Sequence, residues 1–408
     1  MRILLVVSLY RPEISSAAEL MKELADALAT KGHTVTVLTR LPSHRLDASD
    51  ASKTWPEVVK EGAVTVVRAD TWALHQVGYI RRGLASIVAP FQMWRTLCRS
   101  VSGDFDVAFI YSPPITLGFI GFLARRRGAG VLFNVQDIFP QNAIDLGILK
   151  NPVPIAFFRW VEKFSYRNAD IVTAHSKSNL NLLVAANKGI AHKLRILHNW
   201  IDTSLAPSEN GTDYRKQFGL EGKFIALFAG VLGPSQSIDM LVEVADRLRD
   251  IDGCVLLVVG DGTEKQRAEN LARSRGLKNI LFKPFISQDD YPDLLASVDV
   301  GLVCLSTAVK TPVVPGKILG YMVASLPVAA FVNAESDVHQ LMLDSACGAS
   351  CVSDDVTRMA EILREFHAQP DECRRVGDNG RRYAIEHFSK DRITADIENM
   401  LTEISGNK

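Results

Sequence analysis

Nothing in this 408-residue sequence approaches the ~18 consecutive apolar residues that a membrane-spanning helix requires, so no spanning helix is expected. Cysteine is scarce. The six present (Cys98, Cys254, Cys304, Cys347, Cys351 and Cys373) show no CxxC and no paired metal spacing, which argues against a disulfide framework or structural zinc and for reduced side chains mostly in core-like strands and helices. No DxD-like carboxylate pair stands at an expected strand end, so no metal site is expected. A secretory leader is missing too: Met1 and Arg2 run straight into the apolar ILLVV, and a cytoplasmic protein is expected. Acidic residues are short in the first half. Residues 1–198 hold 24 Lys and Arg against 15 Asp and Glu, and the remainder 22 against 31, so a net charge of zero conceals two oppositely charged halves. A basic half suits an anionic surface such as phospholipid or a polyanionic substrate, although attraction between the halves would give the same imbalance. Nucleic acid is not an expected partner.

What is present reads as a well-packed globular chain, 47% hydrophobic and 23% charged, too long for one ordinary core. Two domains are the economical division. The chain opens with an apolar strand, a loop at 9–17, a helix at 18–30 with Leu20, Leu24, Ala27 and Leu28 on one face, and a second strand at 33–39. This is a strand–helix–strand unit of a parallel sheet, and such sheets bind substrates at the carboxyl ends of their strands. Tyr10, Pro12, Glu13, Ser15 and Ser16 therefore fall beside a cleft. A strand at 64–69 follows a loop of weak pattern. Residues 78–101 form a basic amphipathic stretch, with Arg81, Arg82, Arg95 and Arg99 among Ile80, Leu84, Phe91 and Trp94. It suits a membrane interface, as do Arg125, Arg126 and Arg127, although an ordinary surface helix packed on a sheet carries the same pattern. Gln136, Asp137, Pro140 and Asn142 follow a further strand at the cleft edge. The polar stretch 204–213 reads as a linker. From residue 223 a second block repeats strand, Gly-bearing loop and helix. The expected architecture is α/β: two doubly wound domains, 1–200 and 201–385, facing across a cleft, with a last helix in 386–408 returning to the first.

One stretch organises the second block. Residues 301–330, GLVCLSTAVKTPVVPGKILGYMVASLPVAA, read as a buried strand, a loop with three prolines, a helix opening at Gly316 and Lys317, and another strand. Loop amides, a helix start and one lysine make a site for an anion such as a diphosphate. A solvated lysine is the plain alternative, but a helix amino terminus disfavours a cation, which turns the reading toward function.

Ordered along the chain, YRPE, GHTVTVLTR, VQDIFPQNAIDLGIL, ADIVTAHS, ILHNWID, FAGVLGPSQSID, VVGDGTEKQ and VPGKILGYMVASLPV resemble family 4 glycosyltransferases of the GT-B fold, with two Rossmann-like domains, and especially the bacterial branch that builds surface polysaccharide on lipid carriers. The resemblance covers nearly the whole length. It implies that the second half binds a nucleotide-sugar donor and the first half a lipid-linked or glycan acceptor, with no further cofactor. Carried onto these residues, it places Gly230, Gly233, Ser235, Gln236, Pro315, Gly316 and Lys317 at the donor diphosphate. Asp261 and Gly262 fall near the nucleotide, Pro284 and Phe285 at the base, and Tyr321 on the donor side. It implies catalytic parts for Lys317, Gln136 and Asp137, and acceptor-side positions for Glu13, Ser15, Ser16 and Asn199.

Gln136 can hydrogen-bond a sugar but cannot titrate, so it cannot be a base. Asp137 can equally be a helix-capping carboxylate, and Asn199 a structural link in the turn between domains. One departure from the family is plain. A carboxylate pair spaced eight apart, whose second member is implied to hold ribose hydroxyls, is replaced by Pro312 and Gly320, and Ser325 stands where glycine is usual. Asp261, Glu335 and Asp337 are the other carboxylates available to compensate. The expected activity is metal-independent retaining transfer of a hexosyl or N-acetylhexosaminyl group in cell-surface polysaccharide synthesis, by a cytoplasmic protein peripheral on the inner face of the membrane. A non-catalytic scaffold of the same fold and a nucleotide-sugar epimerase are the competing functions.

Overall fold

The computed structural model describes every residue except 44–45, 47–49, 51, 73–77, 210 and 407–408, with the backbone alone at 79, 80 and 82. The side chains of Ile80 and Arg82, counted in the amphipathic stretch, thus lie outside the described residues. The chain divides into two compact units, Met1–Asn199 with Lys390–Lys408, and Trp200–Ser389.

The first unit is built on eight strands: β1 (Arg2–Val6), β2 (Thr34–Arg40), β3 (Val58–Glu61), β4 (Val64–Ala69), β5 (Val107–Ser112), β6 (Gly130–Val135), β7 (Ile171–Ala174) and β8 (Leu194–Ile196), in the order β3-β4-β2-β1-β5-β6-β7-β8. All neighbours are parallel except β3, which runs antiparallel to β4 with Val58 opposite Val67. That edge strand corrects the expectation of a loop before residue 64. Its alternation is weak because its edge position leaves its residues half or wholly exposed. Strands β5 and β6 are buried at every position, as strands covered on both faces must be, and read as continuous apolar runs. The helix Ser16–Thr30 starts where the Ser15 hydroxyl accepts from the Ala18 amide at 3.1 Å, and it buries Leu20, Met21, Leu24 and Leu28. The last helix, Lys390–Ser405, belongs to this unit. Its Glu398 meets Lys31 Nζ at 2.5 Å and His33 Nε2 at 2.9 Å, and hydrogen bonding from Lys31 and then His33 holds that carboxyl below its usual range.

The second unit has six parallel strands: β9 (Phe224–Ala229), β10 (Cys254–Val259), β11 (Ile280–Lys283), β12 (Val300–Cys304), β13 (Val328–Val332) and β14 (Gly348–Val352), in the order β11-β10-β9-β12-β13-β14. From β9 the chain winds outward through β10 and β11, then returns to the other side of β9 as β12. The switch point therefore lies between β9 and β12. The loops that leave two such strands diverge, opening a crevice at their carboxyl ends. The FAG that ends β9 and the polar loop that follows β12 both empty into that crevice.

Candidate functional site

Two loops of the second unit are locked backbone to backbone. Leu232 N donates to Asp261 O at 2.9 Å, Glu264 N donates to Leu232 O at 3.0 Å, and Gly230 N donates to Val259 O at 2.9 Å. The lock depends on glycine. A Cβ on Gly260 would stand 1.8 Å from Gly230 O, and one on Gly262 would stand 2.3 Å from Leu232 O. Both also hold positive φ, +153° and +157°. The loop then makes a short 3₁₀ turn, Pro234–Gln236, and enters the helix Ile238–Arg247 through Ser237, which takes the left-handed conformation at φ 47°. From across the switch point Ser306 N donates to Ser235 O at 2.8 Å, fastening the loop after β12 to the loop after β9.

Lys317 opens the helix Lys317–Val323. Its Nζ lies 3.4 Å from the centroid of the Phe228 ring and donates to Gln236 Oε1 at 3.4 Å. A Cβ on Gly230 would come within 3.3 Å of that ammonium, so the glycine keeps the space open. Desolvation pulls the Lys317 pKa down from 10.5 to about 7, and the only opposing influence is the Cys304 thiol, itself pushed up to about 12 by burial. No carboxylate among the described residues compensates this cation. A desolvated ammonium with one weak hydrogen bond and an aromatic face has unfilled capacity for an anion. The helix has only seven residues and no side-chain cap, so the lysine rather than a helix dipole supplies most of the local positive potential.

The loops bring Gly230, Gln236 and Lys317 together, with Gly233 and Ser235 on the same turn and Gly316 exposed just before the lysine. Pro315 is half-buried beside it. Asp261 is exposed, and its Oδ1 is turned onto its own loop, accepting from Gly262 N at 2.8 Å. Phe285 lies beyond β11 at the sheet edge, three strands from β12, and is not part of the lysine cluster. Tyr321, expected on the donor side, is fully buried. Its hydroxyl donates to Leu227 O at 3.2 Å and accepts from Ala229 N at 3.2 Å, and the ring fills the space that Gly301 leaves, where a Cβ would collide at 2.3 Å. It supports the end of β9 and has no face left for a ligand. At Gly320 a Cβ would meet the Tyr291 ring at 3.2 Å and its hydroxyl at 3.3 Å, so a phenol stands where a carboxylate would project. Pro312 is buried. Neither Glu335 nor Asp337 compensates within the cluster: the exposed Glu335 accepts from Asn333 Nδ2 at 3.3 Å, and Asp337 starts the helix Val338–Ser345. Reasoning from sequence missed Phe228 and the Gly230–Gly260 contact. The only written trace was glycine recurring just after both β9 and β10.

In the first unit, the Gln136 amide is fully committed. Nε2 donates to Asn134 Oδ1 at 2.7 Å and to Asn199 Oδ1 at 2.9 Å, and Oε1 accepts from Asn199 Nδ2 at 2.9 Å. Asn134 in turn donates to Thr173 Oγ1 at 2.9 Å. This string ties the end of β6 to Asn199, the last residue of the unit's first segment, so both amides act first as structure. Asp137 is exposed, with Asn142 Nδ2 at 3.4 Å. Glu13 is buried and accepts from Ser43 N at 3.1 Å, Ser15 is the helix cap described above, and Ser16 is exposed as the first helical residue.

The family model described as "Glycosyl transferase 4-like domain" matches residues 17–200, and "Glycosyl transferases group 1" matches residues 211–383. Among curated proteins, WcaI of Escherichia coli K12, assigned as a glycosyl transferase of colanic acid biosynthesis, is 27% identical over 84% of this chain and 86% of its own. Among solved structures, sucrose-phosphate synthase from Thermosynechococcus elongatus superposes over 100% of both chains with a TM-score of 0.80 at 17% identity. HepE of Anabaena, solved with UDP-glucose, superposes over 99% of this chain and 100% of its own with a TM-score of 0.71 at 18% identity. At such identities the structures establish the architecture, and the two family matches, in order along the chain, establish the kinship. The chain belongs to the group 1 glycosyltransferases, with a glycosyl transferase 4-like amino-terminal domain and the GT-B fold.

Proposed function

We propose that the protein moves a hexosyl or N-acetylhexosaminyl group from a nucleotide-diphosphate sugar to a lipid-linked or membrane-proximal glycan acceptor, with retention at the anomeric carbon and without a metal ion. The observation that carries the donor side is Lys317, a desolvated ammonium with no compensating carboxylate among the described residues, at the switch point between β9 and β12. HepE's complex with UDP-glucose and WcaI's assignment to colanic acid biosynthesis support the donor class and the surface-glycan setting. In the proposed step the bond from the anomeric carbon to the diphosphate oxygen breaks and negative charge grows on that oxygen, where Lys317 meets it. The acceptor hydroxyl forms the new bond on the same face and gives its proton to the departing diphosphate. No protein base is required, which suits a Gln136 locked to Asn199.

Isothermal calorimetry with UDP-, GDP-, ADP- and dTDP-sugars tests the reading. One nucleotide class is expected to bind below millimolar, and no binding of any at millimolar concentration would overturn it. That second result would favour a scaffold of the same fold, a function consistent with Gly320 and Tyr291 occupying the place of a ribose-binding carboxylate.

A pH dependence follows from Lys317. Its pKa is about 7 in the free protein and rises when a diphosphate lies against it, so above pH 7 binding must take up a proton. Affinity for the matching nucleotide sugar is expected to fall between pH 7 and 9, by up to roughly tenfold per pH unit, and to stay flat in Lys317→Met. Calorimetry in buffers of differing ionisation enthalpy would report the proton directly.

A further inference from the structure

The first unit presents an exposed aromatic surface over three helices, Tyr79–Ser100, Gly118–Arg126 and Pro152–Asn168. Phe91 stacks on Phe119 at 5.5 Å between ring centroids, Phe119 meets Phe164 at 5.4 Å, and Trp160 stacks on Phe164 at 5.5 Å. The rings are therefore continuous from the first helix to the third. They are also wet: Phe91 is 49% exposed and Trp160 54%, while Leu84 at 55% and Val153 at 74% extend the patch along its two outer helices. Spacing explains the stripe. Residues 84, 87, 88, 91 and 95 share one face of the first helix, and 153, 156, 157, 160 and 164 one face of the third. Large apolar side chains gathered on one solvent-facing patch mark a surface that meets something.

Charge identifies the occupant. Over these three helices and Arg127 the sequence carries ten Lys and Arg and a single acid, Glu162, which is buried. Arg125 is taken by Asp170 and Arg99 by Glu57, but Arg95, Arg126, Arg127, Lys163 and Arg167 have no ion pair among the described residues. Arg126 lies over the Phe122 ring at 5.8 Å and Arg127 over the Trp94 ring at 5.2 Å, so guanidinium groups rim the aromatic field. Tryptophan and phenylalanine favour the boundary between headgroups and acyl chains, and arginine favours anionic headgroups. Among the described residues no helix is long and apolar enough to cross a membrane, so the contact is with one leaflet. We infer that this three-helix face docks on an anionic lipid bilayer, with Phe91 and Trp160 entering the boundary and the unpaired arginines meeting lipid phosphates. The inference deepens the membrane-proximal reading of the acceptor, yet it rests on side chains of the first unit and does not require the donor assignment.

Flotation with vesicles of phosphatidylcholine alone, and of phosphatidylcholine with a quarter phosphatidylglycerol, tests it at 50 and 500 mM salt. The protein is expected to float with the anionic vesicles at low salt and much less at high salt or on neutral vesicles. Arg126→Gln with Arg127→Gln is expected to lower partitioning roughly twenty-fivefold, at about fivefold per charge. Phe91→Ser with Trp160→Ser is expected to lower it at least roughly tenfold. Brominated acyl chains are expected to quench a tryptophan component that Trp160→Phe removes, a readout that does not depend on how the double variant folds. Nucleotide-sugar calorimetry on every variant separates the two readings: unchanged donor binding with lost flotation supports the surface, and flotation without any donor binding would leave the surface standing and the transferase reading fallen. No flotation at low salt, equal partitioning on neutral vesicles, or wild-type partitioning of both double variants overturns the inference, the last result pointing to an acidic protein partner.

Discussion

Lys317→Met is expected to lower turnover by roughly a hundred- to a thousandfold, the range seen when one preorganised charge or donor is removed from a developing anion. Methionine keeps an unbranched side chain of similar reach and deletes the ammonium that lies over the Phe228 ring, so packing changes little and the loss reports charge. The same substitution should raise stability. Lys317 has a folded pKa of about 7, below its ordinary 10.5, so the unfolded chain binds the proton more tightly. Its presence costs most below pH 7, and stability recovers as pH climbs from about 7 to 10.5, where the lysine is neutral in the fold and then in the unfolded chain too. Removing the ammonium should therefore raise Tm most at pH 6 and least above pH 10. A lysine that lowers stability while it raises turnover is the signature of a group held for a ligand. Turnover within threefold of wild type, or a Tm that falls at pH 6, would sink the assignment.

Much of the fold was legible because alternation is coarse and repeated. A buried parallel strand reads as an apolar run, and FIALFA, CVLLVV and VGLVC are such runs, each emptying into a glycine or polar loop before a helix. Strand β3 was not legible, because an edge strand with exposed Val58 and charged Lys60 and Glu61 has no second face to bury. Lys317 was legible as chemistry, since a lysine at a helix start after a proline-rich loop is locally unfavourable. What could not be read was commitment. Tyr321 and Gln136 carry the right functional groups, but Tyr321 spends its hydroxyl on Leu227 and Ala229, and Gln136 its amide on Asn134 and Asn199, partners 63 or more residues away for Asn199 and Leu227. Long-range partners leave no mark in spacing. Gly320 shows the same limit, because its meaning depends on Tyr291, which arrives from the helix Tyr291–Ala296 in the preceding strand–helix unit.

Gly260→Ala is expected to disable the donor site through the backbone, without touching any side chain that would meet a ligand. The added methyl would stand 1.8 Å from Gly230 O, an impossible approach, and the φ of +153° is one that alanine rarely adopts. No side chain can swing away, because the obstruction is a carbonyl of the neighbouring loop, so β9's loop must lift from β10's. Three locks oppose that movement, Gly230 N on Val259 O, Leu232 N on Asp261 O and Glu264 N on Leu232 O, and all are strained or broken by it. A cost of roughly 3–5 kcal/mol is expected from backbone strain plus the lost bonds. Gly276→Ala is the control. It too has positive φ, +64°, but a Cβ there meets nothing within 4 Å, so its cost should stay near ~1 kcal/mol. Moving Gly230 also moves the wall beside Lys317 Nζ, which should abolish nucleotide-sugar binding in Gly260→Ala under conditions where the protein remains folded. Urea unfolding of both variants and calorimetry at a temperature well below each transition separate stability from binding. Wild-type donor affinity in Gly260→Ala would mean that the loop after β9 holds no part of the ligand.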